Sequence, residues 1–484
     1  MTNLSGANLN RREATGPKCE GRGSPSNFPR YPEYKDSGVE WLGEVPGHWE
    51  IIKVAHGFSN IGSGTTPPSN EQKWYEDGSI PWITTSELRE NLIFETKKTL
   101  TDEALSVFTS LQVHPPGSLA IAMYGATIGR LGIFGVSATT NQACCVLSGS
   151  KSISPRFAFY WLLAFKDTII SLYATGGGQP NINQETIANL RLLAPSLADQ
   201  AVITSFLNHE TARIDALVEE QQRLIALLKE KRQAVISHAV TKGLDSDVPM
   251  KDSRLEWLGE VPEHWGVRGL TKLIGPVVDY RGRTPTKVDD GVFLITARNI
   301  RNGRIDYEIS KEYVTPESVK SLLERGKPAI GDLLFTMEAP LGQVALIDRT
   351  DIALAQRIVK FRAVKGLMIN TYLMYWLMST GCQARMETLA TGSTALGIKA
   401  SKLGMIECPV PPVTEQIEIV NLIERENSKH DILLAEAQTN IDLLRERRSA
   451  LISAAVTGKI DVRGWQPPAS SAGATGEATQ VEAV

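Results

Sequence analysis

The segment Lys35-Asp-Ser-Gly-Val-Glu-Trp-Leu-Gly-Glu-Val-Pro-Gly-His-Trp49 returns later in the chain as Lys251-Asp-Ser-Arg-Leu-Glu-Trp-Leu-Gly-Glu-Val-Pro-Glu-His-Trp265. The two copies lie 216 positions apart, and two further segments, which begin at Pro195 and Pro411, repeat at the same interval. Solenoid repeats have periods of roughly 20 to 50 residues, so this spacing indicates instead that one half-protein was duplicated and fused. Two similar halves suit a target that is itself bipartite.

The composition is that of an ordinary globular protein with room for several domains. The chain has 484 residues, of which 42% are hydrophobic and 22% are charged. No run approaches the roughly 18 apolar residues that a membrane span needs, and the N-terminal residues contain no apolar signal core. We therefore expect a cytoplasmic protein that makes no contact with a membrane.

Charge is distributed unevenly along the chain. The formal net charge is only −3, which is unusual for a protein that binds nucleic acid. Residues 50–195 carry about ten Lys and Arg against about eleven Asp and Glu, whereas residues 266–411 carry about twenty against about fourteen. The second of these stretches is therefore net basic.

Two long helices are the clearest structural prediction. Residues 199–240 and 415–456 carry apolar side chains at intervals of four and three, which is a heptad pattern. Prolines precede both predicted helices, and Gly243 and Gly458 follow them. Each helix carries one apolar stripe, called its seam below, and each seam occurs once per chain. We therefore expect the two helices to pair with each other along their seams in the antiparallel sense. The alternative is that each helix packs on its own domain. The predicted seams consist of Ile203, Leu207, Ile214, Leu217, Leu224, Leu228 and Val235 in the first helix, and of Ile419, Ile423, Leu433, Leu444 and Leu451 in the second.

These observations predict an α+β fold with a pseudo-two-fold internal repeat, in which two similar mixed α/β domains are separated by two long antiparallel coiled-coil helices. The tails at both ends are rich in Gly, Pro and Ser and cannot bury enough apolar surface to stay ordered. The predicted segments are a tail at 1–30, a domain at 31–195, a helix at 196–245, a domain at 246–411, a helix at 412–461 and a tail at 462–484.

Each mixed domain is expected to contain short strands with one or two helices. Residues 80–85 and 292–297 are predicted to be strands that enter polar loops, as are residues 117–123 and 331–337. Residues 156–171 and 370–389 carry helical apolar spacing with several aromatic side chains. Such an aromatic stripe is more typical of a core than of a stacking platform for bases.

Several short motifs, repeated in the same order in both halves, resemble the specificity subunit of type I restriction-modification systems. They are the Gly64-Thr-Thr-Pro67 and Gly282-Arg-Thr-Pro285 segments, the Thr175-Gly-Gly-Gly-Gln-Pro-Asn-Ile and Thr391-Gly-Ser-Thr-Ala-Leu-Gly-Ile turns, and the Pro-Pro-x-x-Glu-Gln helix start at Pro411. The resemblance covers residues 34–461 and implies two target-recognition domains. Each domain would read one half of a split double-stranded DNA sequence.

The same resemblance implies partners and the absence of catalysis in this chain. The two helical regions would set the spacer between the half-sites and dock two modification (methyltransferase) subunits, and restriction (motor and nuclease) subunits would complete the complex. S-adenosylmethionine, ATP and Mg would be bound by those partner subunits, and this chain would bind no cofactor.

The residues themselves agree that catalytic chemistry is missing. The sequence contains no Asn-Pro-Pro-Tyr/Phe methyltransferase signature, no Gly-x-x-x-x-Gly-Lys-Ser/Thr phosphate loop and no convincing nuclease cluster. Its five cysteines lack Cys-x-x-Cys spacing, which favours buried thiols over a disulfide framework or a zinc site. Two alternatives stay open: a catalytic DNA methyltransferase fusion, and a coiled-coil scaffold without affinity for DNA.

Polar and basic residues in the predicted loops are the candidates for DNA contact. Arg or Lys can bind guanine O6 and N7, and Asn or Gln can bind adenine N6 and N7. For the basic residues of the second domain, the alternative to DNA contact is that they form a basic face exposed to solvent. The first-domain candidates are Thr65, Thr66, Thr85, Ser86, Arg89, Tyr124, Arg130, Asn141, Gln142, Gln179 and Asn181. The second-domain candidates are Arg281, Arg283, Lys287, Arg298, Asn299, Arg301, Arg304, Ser393, Thr394 and Lys399.

The repeated Glu-Trp-Leu-Gly-Glu-Val-Pro-x-His-Trp segment, residues 40–49 and 256–265, is called the repeat element below. Its apolar side chains either pin each domain to the helices or form part of a surface that partner subunits grip. We favour the first interpretation.

Overall fold

The computed structural model describes residues 28–176, 180–280, 285–392 and 396–467, apart from the side chain of Arg325. The first half of the chain begins with short strands, continues through a mixed domain and ends in a long helix. Its strands are β1 (Tyr34–Asp36), β2 (Glu44–Pro46), β3 (Glu50–Lys53), β4 (Phe58–Ser63), β5 (Ile80–Ile83), β6 (Asn91–Ile93), β7 (Thr99–Leu100), β8 (Leu119–Ala122), β9 (Leu131–Phe134), β10 (Thr139–Thr140), β11 (Cys144–Ser150) and β12 (Arg191–Ala194). Its helices are α1 (Val54–Gly57), α2 (Asp102–Val107), α3 (Pro155–Tyr173), α4 (Gln184–Asn189) and α5 (Leu197–Lys242).

The second half of the chain follows a similar order of elements. Its strands are β13 (Met250–Asp252), β14 (Glu260–Pro262), β15 (Gly266–Gly269), β16 (Val278–Asp279), β17 (Lys287–Val288), β18 (Val292–Ile295), β19 (Ile300–Arg301), β20 (Arg304–Ile305), β21 (Tyr313–Val314), β22 (Leu333–Thr336), β23 (Val344–Leu346), β24 (Ile352–Leu354), β25 (Ile358–Phe361) and β26 (Glu407–Val410). Its helices are α6 (Pro316–Leu322), α7 (Asn370–Met378), α8 (Thr380–Leu389) and α9 (Val413–Val456).

The chain forms two compact units whose boundaries fall inside the long helices. Unit 1 contains the chain up to Glu219 together with the residues from Ile441 onward, and unit 2 contains Glu220–Asn440. Each of α5 and α9 therefore contributes one part to each unit. The predicted helical segments 196–245 and 412–461 are both divided in this way.

The sheets of the two units are similar but not identical, with three and five strands in unit 1 and four and four in unit 2. Unit 1 contains a sheet of order β10-β5-β7, in which β5 and β10 are parallel, and a sheet of order β4-β11-β8-β9-β6. Unit 2 contains a sheet of order β17-β21-β18-β24, in which β18 and β24 are parallel, and a sheet of order β16-β25-β22-β23. Strands β8 and β22 are buried at every position, as expected for uninterrupted apolar runs that are covered on both faces. The predicted mixed architecture and its repeat are confirmed.

Within each unit, the two long helices run antiparallel, as predicted. In unit 1 the early part of α5 pairs with the late part of α9, where Arg448 Nε lies 2.9 Å from Asp215 Oδ1. In unit 2 the late part of α5 pairs with the early part of α9 through an ion pair between Arg232 and Asp431.

The helix termini follow the predicted signals. The Ser196 hydroxyl accepts a hydrogen bond of 3.1 Å from the backbone N–H of Asp199, so it caps the start of α5. Gly243 and Gly458 adopt φ values of +80° and +70° just beyond α5 and α9, a conformation that favours glycine after a helix.

A buried glutamine in the first turn of each long helix holds the loop that precedes the domain helix. Gln200 and Gln416 are both fully buried. The same three types of hydrogen bond recur at both sites, so the joint between helix and domain was duplicated with the sequence. The Gln200 amide donates to the carbonyls of Ser152 and Pro195, both at 2.8 Å, and accepts from the N–H of Ser154 at 2.7 Å. The Gln416 amide donates to the carbonyls of Leu367 and Pro411 and accepts from the N–H of Ile369, all at 2.9 Å.

Both copies of the repeat element pack against the end of a long helix. Trp49 and Trp265 are fully buried. At the end of α9, Gly458 lies so close to the first copy that a Cβ there would be 2.3 Å from Pro46 Cγ, and at the end of α5 a Cβ on Gly243 would be 3.3 Å from Trp265 Cζ2. The buried side chains therefore support the interpretation that the repeat element pins each domain to a helix.

Predictions about the core are confirmed at most positions. Phe157, Trp161, Tyr372 and Trp376 are buried in the cores of the two domains, so the aromatic stripes are not stacking platforms. Four cysteines, Cys144, Cys145, Cys382 and Cys408, are buried free thiols, and Cys19 lies outside the described residues.

One prediction about the helices is confirmed and another is wrong in part. Residues 370–389 are helical, as predicted, and form two helices because Ser379 adopts an extended conformation (ψ 148°) and its hydroxyl accepts a hydrogen bond from the N–H of Cys382. The heptad seam is also interrupted: Leu217, Leu224 and Leu433 are 39%, 41% and 44% exposed. A straight helix drifts away from an exact seven-residue repeat, and residues outside the predicted seam, such as Ala437 and Ile441 on α9, are buried instead.

In the part of the chain that the structure describes, no helix combines the length and apolar character that crossing a membrane would require. Residues 1–27 and 468–484 of the two predicted tails lie outside the described residues. The predicted start of the second tail at residue 462 is wrong, because Val462 is buried and the Trp465 ring packs on Phe206.

Candidate nucleic-acid interface

In unit 1, several candidate residues gather where two parallel strands end. Strands β5 and β10 are paired in parallel, with Ile83 opposite Thr140, so the loops that follow them leave from the same edge of the sheet. The N–H of Asn141 donates to the carbonyl of Ile83 at 3.0 Å, which fixes one loop against the other. Ligands of sheets with parallel strands commonly bind at the carboxyl ends of those strands.

A third segment completes this edge and orients a glutamine. Gly64 follows β4, and its N–H donates to the Thr140 hydroxyl at 3.2 Å. Two residues later, the Thr66 hydroxyl donates to Gln142 Oε1 at 2.6 Å, and both side chains are exposed. The Gln142 amide is therefore held at the surface with a fixed direction. We call this surface, defined by Thr66, Ser86 and Gln142, the first polar edge.

The other first-domain candidates lie beside the first polar edge or shape its loops. Tyr124 is 43% exposed and forms an isolated β-bridge with Asn181, whose side-chain oxygen accepts from the Thr175 hydroxyl at 2.9 Å. Three candidates are half-buried: Thr65, Thr85 and Arg130. Arg89 is exposed, and its Nε donates a hydrogen bond to the carbonyl of Ser86. The side-chain oxygen of Asn141 accepts a hydrogen bond from the N–H of Ala143.

The second domain repeats the same strand-end arrangement with a more basic set of side chains. Strands β18 and β24 are parallel, and the N–H of Ala355 donates to the carbonyl of Ile295 at 2.9 Å, as Asn141 does to Ile83 in the first domain. A groove of about 320 Å³ opens there. Its polar lining includes Lys287, Arg298, Gln356 and Arg357, which together define the second polar edge.

Carboxylates compensate part of the positive charge at the second polar edge. Lys287 Nζ lies 2.8 Å from Glu312 Oε2, and Arg357 Nε lies 3.2 Å from Glu338 Oε1. Arg298 is exposed on the loop after β18. The groove therefore combines two paired cations with a further exposed arginine.

The prediction that Asn299 contacts DNA is wrong, because its side chain is buried and forms hydrogen bonds within the protein. It is fully buried, its oxygen accepts from the N–H and hydroxyl of Thr296, and its nitrogen donates to the carbonyls of Asp306 and Ser310 at 2.9 Å each. All of the hydrogen bonds that an adenine would require are already made within the loop.

Arg304 is also not part of the second polar edge. Its Nη2 lies 3.0 Å from Asp431 Oδ2 on α9, although the side chain keeps 78% of its surface exposed. Arg301 is exposed on the same β19–β20 hairpin, and Lys399 is exposed after the Thr391 turn. Gln179, Arg281, Arg283, Ser393 and Thr394 lie outside the described residues.

Two residues of the second polar edge, Gln356 and Arg357, were not predicted. They follow β24, a strand of three residues whose parallel partner is far away in sequence. The internal repeat carries a signal that could have identified one of them: Gln142 and Gln356 occupy the same place after equivalent strands, and Gln142 was already a candidate.

Among the residues that the structure describes, no group of three or more His, Cys, Asp or Glu side chains is arranged to hold a metal ion. What both edges offer is a row of hydrogen-bond donors and acceptors on rigid strand ends, which suits recognition of a polar surface such as the base edges of DNA.

Comparison with known proteins shows which family the chain resembles. A family model described as the Type I restriction modification DNA specificity domain matches residues 46–226 and 280–436. The type I restriction enzyme MjaVIII specificity subunit of Methanocaldococcus jannaschii is 21% identical over 425 residues, which cover 87% of this chain and 94% of that protein. The EcoKI specificity subunit of Escherichia coli is 21% identical over 443 residues, covering 88% of this chain and 91% of that protein.

The fold is also found among solved structures. A chain from a structural study of complex assembly and conformational transition of the type I R-M system matches with a TM-score of 0.66 at 13% identity, covering 86% of this chain and 99% of that one. This likeness concerns the fold.

Proposed function

Because the chain belongs to the family of type I restriction-modification DNA specificity proteins and is a specificity subunit, we propose that it reads a bipartite DNA sequence with one polar edge in each domain. The observation that carries this proposal is the duplicated strand-end geometry. In both domains a glutamine follows the second strand of a parallel pair, and the loop after the first strand lies beside it. Two edges that differ in side chains can read two different short blocks.

The division of labour within a complex is part of the proposal. This chain would supply sequence recognition alone, while partner subunits would bind S-adenosylmethionine, ATP and Mg and carry out methyl transfer and cleavage. The names of the two relatives described above, both specificity subunits, support this division.

Two modification (methyltransferase) subunits would dock on the long helices, and restriction (motor and nuclease) subunits would complete the complex. Apolar side chains that are exposed on α5 and α9 are the candidates for this contact, since contiguous exposed apolar patches mark protein interfaces. They are Leu217, Leu224 and Leu227 on α5, and Ile417, Ile432, Leu433 and Leu443 on α9.

Mapping of methylated bases tests the proposed function. The chain would be produced together with a modification subunit encoded beside it, in a host without other DNA methylation, and the modified adenines would be sequenced. We expect methylation at sites that contain two fixed blocks separated by a constant number of unread base pairs. Methylation by the purified chain without a partner would establish the catalytic fusion instead, and a partner-bound chain that shows no salt-dependent band shift with DNA would establish the scaffold.

Gln142→Ala is expected to weaken discrimination in one block only. The Gln142 amide is exposed and oriented by Thr66, and a bidentate contact of Gln with adenine discriminates against other bases by about 1 to 3 kcal/mol. We expect the preference at one base pair of the first-domain block to fall by about 5- to 150-fold, with the other block unchanged. The measurement is the methylation frequency at sites with single-base changes.

Gln112→Ala is the matched control for Gln142→Ala. Gln112 is equally exposed but precedes His114, which bridges to Ala138 at the opposite end of β10. We expect this variant to methylate all sites as the unaltered chain does. Equal losses in both variants, or equal losses in both blocks for Gln142→Ala, would contradict the assignment of Gln142.

A further inference from the structure

Arg357 combines an unusual backbone conformation with a place in the second groove. Its φ is +78°, in the left-handed region that non-glycine residues rarely adopt. Strain of this kind persists where the surrounding structure enforces it, most often at functional sites. The equivalent first-domain residue, Ala143, is described and does not adopt a positive φ. The conformation is therefore a special feature of the second domain.

Neighbouring strands hold the Arg357 backbone in place. The N–H of Met337, at the end of β22, donates to the carbonyl of Arg357 at 2.9 Å, and β25 begins at the next residue. On its other side, Ala355 is bonded to the end of β18. The backbone of Arg357 is thus fixed between two sheets, while its side chain keeps 50% of its surface exposed at the groove.

Glu338 directs the guanidinium of Arg357. Its carboxylate lies 3.2 Å from Arg357 Nε, and Glu338 itself forms an isolated β-bridge with Gly397. Gly397 is so close that a Cβ there would be 3.2 Å from Glu338 Cβ. The backbone of Glu338 is therefore held between two loops, which places its carboxylate beside Arg357.

The charges favour a base over a phosphate as the group that Arg357 contacts. A phosphate brought to this guanidinium would also meet the carboxylate of Glu338, and like charges at short range repel. A guanine edge is uncharged and presents two acceptors, O6 and N7, with the spacing of a guanidinium fork. A fixed, partly neutralised arginine is thus suited to guanine.

We propose that Arg357 reads a guanine in the DNA block recognised by the second domain, and that Glu338 is its positioning residue. This inference rests on the proposed function. In the first domain, Ala143 and Tyr124 take the places of Arg357 and Glu338, so this contact is made by the second domain alone.

Two substitutions of Arg357 separate base reading from other roles. Arg357→Gly removes the guanidinium and places a residue that adopts φ +78° without strain, so a loss of folding is not expected. Arg357→Lys keeps the charge but cannot form two parallel hydrogen bonds. With the modification partner present, we expect both variants to lose preference for one G·C pair of the second block by about 5- to 150-fold, with the first block unchanged.

Glu338→Gln and Arg349→Ala complete the experiment. Glu338→Gln is expected to reduce preference at the same G·C pair only, because the guanidinium loses its direction. Arg349 pairs with Asp351 before β24, at the opposite end of that strand from Arg357, so Arg349→Ala should leave every preference unchanged.

The outcomes are distinguishable. A uniform weakening of all sequences by Arg357→Gly, with Arg357→Lys equal to the unaltered chain, would make Arg357 a phosphate contact and overturn the inference. Unchanged preferences in both variants, with or without a change in stability, would overturn it in favour of a structural ion pair. If the unaltered chain itself shows no second block, the proposed function fails before these variants are compared.

Discussion

Gly64→Ala is expected to lower the free energy of unfolding by about 3 to 5 kcal/mol, because the added methyl group has no space. A Cβ at this position would lie 1.8 Å from the carbonyl oxygen of Thr140 and 2.7 Å from its carbonyl carbon. Both atoms belong to the backbone of β10, so relief requires that the strand and the loop with Gln142 move together. We therefore expect selective methylation at the first-domain block to be lost as well.

Gly62→Ala is the control for this prediction. Gly62 lies two residues earlier in β4 and does not adopt a positive φ, and a Cβ added there would have no heavy atom within 4 Å. Its replacement by alanine should change stability by less than about 0.5 kcal/mol. Both variants would be compared by denaturant unfolding and by methylation mapping with the partner present, and similar unfolding midpoints for the two would show that the contact with Thr140 is not tight.

Gln416→Leu is expected to destabilise unit 2 by about 3 to 6 kcal/mol. Leucine has a similar volume but leaves the N–H of Ile369 and the carbonyls of Leu367 and Pro411 without their partner. Each buried polar group left unpaired costs about 1 to 3 kcal/mol. The loop before α7 should therefore separate from the start of α9, which hydrogen exchange of the Ile369 amide would detect together with denaturant unfolding.

Glu418→Leu provides the comparison for Gln416→Leu. Glu418 is exposed two residues further along α9, so the same apolar side chain there disturbs no buried group. Gln200→Leu should reproduce the effect in unit 1, where Gln200 makes the equivalent bonds. If Gln416→Leu unfolds at the same denaturant concentration as Glu418→Leu, the glutamine is not what joins helix and domain.

The long helices could be predicted almost to the residue because several independent signals coincide at their ends. Proline stops the preceding strand, Ser196 caps α5, and glycines with positive φ follow both helices. The break between α7 and α8 was missed because the apolar spacing continues across it. Ser379 supplied the local signal, since a serine that caps a new helix favours an extended backbone.

The candidate interface was only partly predictable because it depends on strand pairing. Nothing local in the sequence shows that β24 lies parallel to β18, so the position of Arg357 beside Arg298 could not be read from spacing. Asn299 illustrates the opposite error. Its residue type suits adenine, but an asparagine three positions after Thr296 also suits a capping box. Both the oxygen and the nitrogen of its side-chain amide are hydrogen-bonded to the backbone.

The order in which the units are assembled along the chain has a consequence for synthesis on the ribosome. Unit 2 is one continuous stretch, Glu220–Asn440, whereas unit 1 requires the residues from Ile441 onward, including Gly458 against the first repeat element. A nascent chain emerges from its N-terminus, and domains fold as soon as their residues are available. Unit 1 therefore cannot be completed before the end of α9 has left the ribosome, and until then the apolar surface around Trp49 lacks the residues of α9 that cover it.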